Sequence, residues 1–106
     1  LGWIGGSVVR FRPRDTLKFK VPHVGWNQIA ISKQSVLMRD IPDSSEFYFV
    51  HSYFLRPNAA ADILNVTEYD ERFTSAIERD NIFGVQYHPE KSHEIGDRLL
   101  RNFASI

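Results

Sequence analysis

Cysteine is absent from this sequence of 106 residues, which excludes disulfides, thiolate metal sites and any cysteine nucleophile supplied by these residues. Charge imbalance is absent too: 13 Lys and Arg stand against 13 Asp and Glu, so nothing electrostatic points to nucleic acid or an anionic membrane as partner. No apolar run approaches the roughly 20 residues that span a bilayer, and no basic stretch leads into an apolar one as in a secretory signal. The cytosol is therefore the expected compartment. Repeats, low-complexity tracts and linkers are also missing. What remains is ordinary globular material, 42% hydrophobic and 25% charged, long enough for one domain with a modest core. The first residue is Leu1, in sequence that already reads as folded. Residues 1–106 are thus expected to form a single partial domain, a piece of something longer.

Short strands dominate the pattern. Ser7 to Arg12, "SVVRFR", is β-branched and stops at Pro13, which cannot donate to a ladder. Asn27 to Ser32, "NQIAIS", alternates as a half-buried strand does, and "VLMRDIPDSSE" reads as a short helical turn followed by a loop. "EFYFVHSY", Glu46 to Tyr53, is aromatic and β-branched throughout and is expected to be a central strand. "ILNVTEY" and "RFTSAIER" read as a hairpin, and Asp80-Asn81 as a turn into "IFGVQY", whose continuous apolar character predicts burial on both faces. From Ser92 the period changes: Ile95, Leu99, Leu100 and Phe103 recur at helical spacing and predict a terminal helix docked by that face. The sum is α+β, or the β-rich half of an α/β fold.

The chemistry concentrates in "YHPEKS". His88 and Glu90 stand two apart across Pro89, and if the chain stays extended they project to one side at a strand's C-terminal end, where open α/β sheets place ligands. A carboxylate on one ring nitrogen fixes the imidazole tautomer and leaves the other nitrogen free to take a proton. An arbitrary His-x-Glu is equally a surface pair, and residue types alone favour that plainer reading. The four histidines, His23, His51, His88 and His93, do not form a metal-ligand pattern.

"GVQYHPEKS" followed by an amphipathic helix resembles the C-terminal signature of class I glutamine amidotransferases. The resemblance implies an α/β fold with a flavodoxin-like mixed sheet, of which this chain would be the β-rich C-terminal half. It further implies a Cys-His-Glu triad to which His88 contributes the base and Glu90 its orienter. "LGWI", "VPHVGWN" and "FYFVHSY" look like the glutaminase subunits of imidazole glycerol phosphate synthases in histidine biosynthesis, which draw ammonia from glutamine and supply a (β/α)-barrel cyclase. By that likeness the Ser52-Tyr53 backbone holds the α-amino and carboxylate groups of glutamine. Trp26, Asn27 and Lys91 face the cyclase, and Tyr48 stands where ammonia leaves. No cofactor is implied.

Each has a plainer reading: Ser52-Tyr53 as a strand terminus, "PHVGWN" as a turn around Gly25, Tyr48 as sheet packing and Lys91 as a solvated lysine. The family's nucleophile elbow is not in these residues, and no serine stands in a G-x-S-x-G elbow in its place. The chain alone is therefore expected to be inactive. Truncation would leave apolar surface uncovered, which predicts self-association. Two functions stay open: a segment of a glutaminase, or a non-catalytic remnant that keeps an amidotransferase surface. Within the first, acceptors in surface-sugar, GMP or anthranilate synthesis share the motif.

Overall fold

The computed structural model describes residues 5–12, 21–69 and 71–106. Along the chain run β1 (Gly6–Arg10), β2 (His23–Gln28), β3 (Ala30–Ile31), β4 (Glu46–His51), β5 (Tyr53–Pro57), β6 (Ile63–Tyr69), β7 (Glu71–Arg79), β8 (Ile82–Val85) and α1 (His93–Ala104), with short 3₁₀ turns at Val36–Met38, Ala60–Asp62 and Pro89–Lys91. Among the described residues β1 pairs with β5, β2 with β4, and β3, β6, β7 and β8 form a four-stranded sheet in that order. Every one of these pairings is antiparallel. The predicted β6–β7 hairpin and the turn at Asp80-Asn81 are both present.

Alternation builds the core. In β4 the side chains of Phe47, Phe49 and His51 turn inward while Glu46, Tyr48 and Val50 turn outward, as a two-residue period dictates. Phe11, Phe54, Leu64, Phe73, Tyr87 and Leu99 close around the two phenylalanines in one apolar cluster. Burying a ring of this size contributes about 2–3 kcal/mol, so β4 is the element on which the fold turns. Its other edge is also occupied: the Tyr48 N–H donates to Ser92 Oγ at 3.0 Å and the Tyr48 carbonyl accepts from the His88 N–H at 2.9 Å. The strand is central, as its sequence suggests, although its second neighbour is a loop rather than a strand.

Several expectations change. "NQIAIS" is not one strand. Ile29, 1% exposed, anchors in the core and bonds to Ser44 and Ser45, while the chain on either side joins a different sheet. Likewise "EFYFVHSY" breaks at Ser52 into β4 and β5, which pair with different partners. Gly25 does not sit in a turn. It lies inside β2 at φ +132°, a conformation that side chains rarely adopt, with open space where a Cβ would stand. β8 is half-buried along its whole length, because among the described residues it has only β7 beside it. The helix docks through Ile95, Gly96, Leu99 and Asn102, whereas Leu100 and Phe103 are 45% and 56% exposed. Asn102 is what rotates the buried face: its amide donates to the carbonyls of Leu37 and Arg39 at 2.9 and 2.7 Å, satisfying the end of the preceding 3₁₀ turn. "LGWI" and residues 13–20 lie outside the described residues.

Candidate active site

His88 stands immediately after a fixed point. Tyr87 is 2% exposed, stacks on Phe47 with ring centroids 4.2 Å apart, and donates its hydroxyl to Asn65 Oδ1 at 2.5 Å. Burial pushes that phenol well above its usual range, so it acts as a neutral donor. One residue on, the chain emerges and turns. The expected extended path through Glu90 does not occur, because Pro89–Lys91 is a 3₁₀ turn with proline at its start, where a missing N–H is harmless. The pair meets all the same. His88 is extended at φ −102°, ψ 96°, and its Nδ1 lies 3.4 Å from Glu90 Oε2. An ionised carboxylate only accepts, so Nδ1 carries the proton and Nε2 presents its lone pair.

Ser92 locks this arrangement. A serine before a helix is ordinarily a cap, yet this side chain makes no cap bond. Its hydroxyl donates to the His88 carbonyl at 2.6 Å while accepting from the Tyr48 N–H at 3.0 Å. With the His88 N–H returned to the Tyr48 carbonyl, the loop is bonded to β4 at both ends of the histidine. Gly96 completes the clamp: a Cβ there would fall 1.8 Å from the Pro89 carbonyl oxygen, so only glycine lets α1 approach the turn this closely.

The remaining expected residues divide between places. Trp26 and Tyr48 are cross-strand partners with rings 5.8 Å apart, and His93 stacks on Trp26 at 5.2 Å. With Val24 and Val50, also directly opposed, they make an outward apolar face on the β2–β4 ribbon; Trp26 is 44% exposed, Val24 55% and Val50 40%. Lys91 is exposed at the end of the Pro89 turn. Asn27 does not join this face. It points to the other side of β2, its amide donating to the Glu68 carbonyl at 2.9 Å and reaching His23 Nε2 at 3.3 Å. Ser52 and Tyr53 lie at the far end of β4, where the Ser52 carbonyl accepts from the Phe11 N–H and the Tyr53 carbonyl from His51 Nδ1. Each carbonyl keeps a second lone pair for a ligand.

The family model "Glutamine amidotransferase class-I" matches residues 4–106. The chain belongs to the class-I glutamine amidotransferase family. Among its relatives, imidazole glycerol phosphate synthase subunit HisH 2 of Pseudomonas aeruginosa is 47% identical over 106 residues, all of this chain and 52% of that protein. The protein of the same name from Methanococcus maripaludis is 47% identical over 103 residues, 97% of this chain and 50% of that one. The chain thus spans about half the length of the curated relatives it matches. The crystal structure of a Thermoplasma acidophilum protein, named for its likeness to a GMP synthase, superimposes with a TM-score of 0.73 at 20% identity, over 95% of this chain and 48% of that one. It shows that the strands and terminal helix belong to the amidotransferase α/β architecture.

Proposed function

We propose that this chain is the C-terminal portion of the glutaminase subunit of an imidazole glycerol phosphate synthase, which hydrolyses glutamine and passes ammonia to a cyclase. The observation that carries the reading is the His88–Glu90 pair, bonded through Tyr48 and Ser92 to the best-buried strand in the fold. An accidental surface pair needs no such support. The names of the relatives agree with the reading.

The geometry suits one half of an amide hydrolysis. A thiolate from outside these residues attacks the glutamine amide carbon, and the tetrahedral adduct expels ammonia as His88 Nε2 delivers a proton to it. The resulting thioester is hydrolysed by water, whose proton returns to Nε2. Glu90 holds the ring and stabilises its charged form. The Ser52-Tyr53 backbone holds the α-substituents of glutamine. The outward face of Trp26, Tyr48, Val24 and Val50, with Lys91 nearby in sequence to His93, faces the cyclase. Asn27 supports this face from behind rather than contacting the partner.

The test is a fusion of this chain behind the cysteine-bearing N-terminal half of a HisH relative. The fusion should hydrolyse glutamine, whereas the 106 residues alone should show no turnover, because they bring no nucleophile. A properly folded fusion without glutaminase activity overturns the reading. The exposed apolar face makes a second demand: without a cyclase the isolated chain should sediment as more than a monomer at micromolar concentration. A clean monomer there would mean that the face needs no cover.

A further inference from the structure

Two buried histidines lie away from the His88–Glu90 pair, and their hydrogen bonds leave one protonation pattern. His23 and His51 are 3% and 8% exposed, and His23 Nδ1 lies 3.0 Å from His51 Nε2. At the far end, His51 Nδ1 is 2.9 Å from the Tyr53 carbonyl, which only accepts, so Nδ1 carries hydrogen. His51 Nε2 must then accept, and His23 Nδ1 must donate to it. At the near end, Gln28 N–H bonds to Asn27 Oδ1 at 2.8 Å, which fixes that amide and turns its Nδ2 towards His23 Nε2. A nitrogen facing a donor has to accept. Both imidazoles are therefore neutral and both carry hydrogen on Nδ1; a second proton on either ring would set two donors against each other. Aromatic packing holds the chain in place: His23 lies between the rings of Tyr69 and Phe49, at 4.0 and 4.9 Å, and Phe11 and Phe73 edge onto His51.

The geometry points to His23 and His51 as positioning residues for the substrate: a relay of neutral histidines, anchored at Asn27 on β2, orients the Tyr53 carbonyl that receives the glutamine α-ammonium. The inference rests on the glutaminase reading above. It uses a buried polar chain that the triad does not need, and it gives that chain an end in the predicted substrate backbone. A structural core histidine would be satisfied by any partner. This chain instead spends both rings on aiming one carbonyl, whose second lone pair is left for a cationic ligand.

Two measurements test it. In this chain labelled with ¹⁵N histidine, both His23 and His51 should show the Nδ1–H neutral form throughout the range from pH 6 to 8. The Nε2–H form at His51 overturns the relay. In the active fusion, His51→Leu should raise the KM for glutamine about 10–100-fold, the loss of one buried hydrogen bond at the binding step, with kcat within about threefold. His51→Asn, whose Nδ2 can replace the ring's Nδ1 as donor to Tyr53, should recover most of that KM. An unchanged KM in His51→Leu, or equal defects in the two variants, overturns the positioning role alone. A fusion inactive even without substitution overturns the glutaminase reading and with it the role, while leaving the tautomers as found.

Discussion

In the active fusion, His88→Ala should lower kcat for glutamine hydrolysis by about 10³-fold or more, within the range for loss of a positioned general acid–base. The structure explains why the loss should fall on kcat. His88 is presented by a backbone bonded to Tyr48 and Ser92, not by its own ring, so truncating the ring leaves the loop in place. Glutamine, held at Ser52 and Tyr53 under the proposed reading, should keep its KM. Glu90→Gln should act more weakly, about 10–100-fold, because the contact to His88 Nδ1 is long at 3.4 Å and the side chains are 38% and 57% exposed. The order of the two effects is as informative as their size. Equal turnover with alanine at position 88, measured in single-turnover and steady-state assays, would remove His88 from the mechanism.

That His88 and Glu90 are neighbours in space is legible in the sequence, but not for the reason their spacing suggests. The spacing argument needs an extended chain, whereas Pro89 starts a 3₁₀ turn, and the side chains meet across that turn. Local patterns are enough for elements whose burial follows their own period: β4, the β6–β7 hairpin and the short turn at Val36–Met38. They fail where long-range bonds decide. Nothing in "NQIAIS" shows that Ile29 bonds to the Ser44-Ser45 turn and so divides the run. Leu100 and Phe103 look more apolar than Asn102, yet Asn102 is buried because two carbonyls of a distant turn need its amide. Ser92, Gly96 and the His23–His51 chain are hidden for the same reason, since hydrogen-bond partners here lie 4 to 44 residues away. A serine four residues after a histidine and a glycine four further on is the one local hint of the clamp.

The buried histidine pair also predicts how the fold fails in acid. His23 has its pKa lowered from 6.5 to about 4, first by burial and then by the neighbouring His51, and His51 is lowered chiefly by burial. The titratable groups facing the pair are each other, Tyr69 beside His23 and His88 near His51; no carboxylate is among their bonded partners. A lowered histidine pKa means that the folded state resists a proton the unfolded chain accepts. Between pH 6.5 and 4 the unfolded state therefore binds more protons, and stability rises with pH across that window and is lost as pH falls through it. For His23 alone the shift corresponds to roughly 3 kcal/mol, complete near pH 4. His51 adds in the same direction. That is a large part of the roughly 5–15 kcal/mol that holds a domain folded. Urea unfolding at pH 7, 6, 5 and 4 should show the unaltered chain losing about 3 kcal/mol more than His23→Gln over the same interval, since glutamine does not titrate. Parallel stability curves for the two proteins would mean that His23 takes up its proton in the folded state as readily as in the unfolded one. The neutral relay to Tyr53 would then fall with the prediction, because an imidazolium at position 23 cannot accept from Asn27.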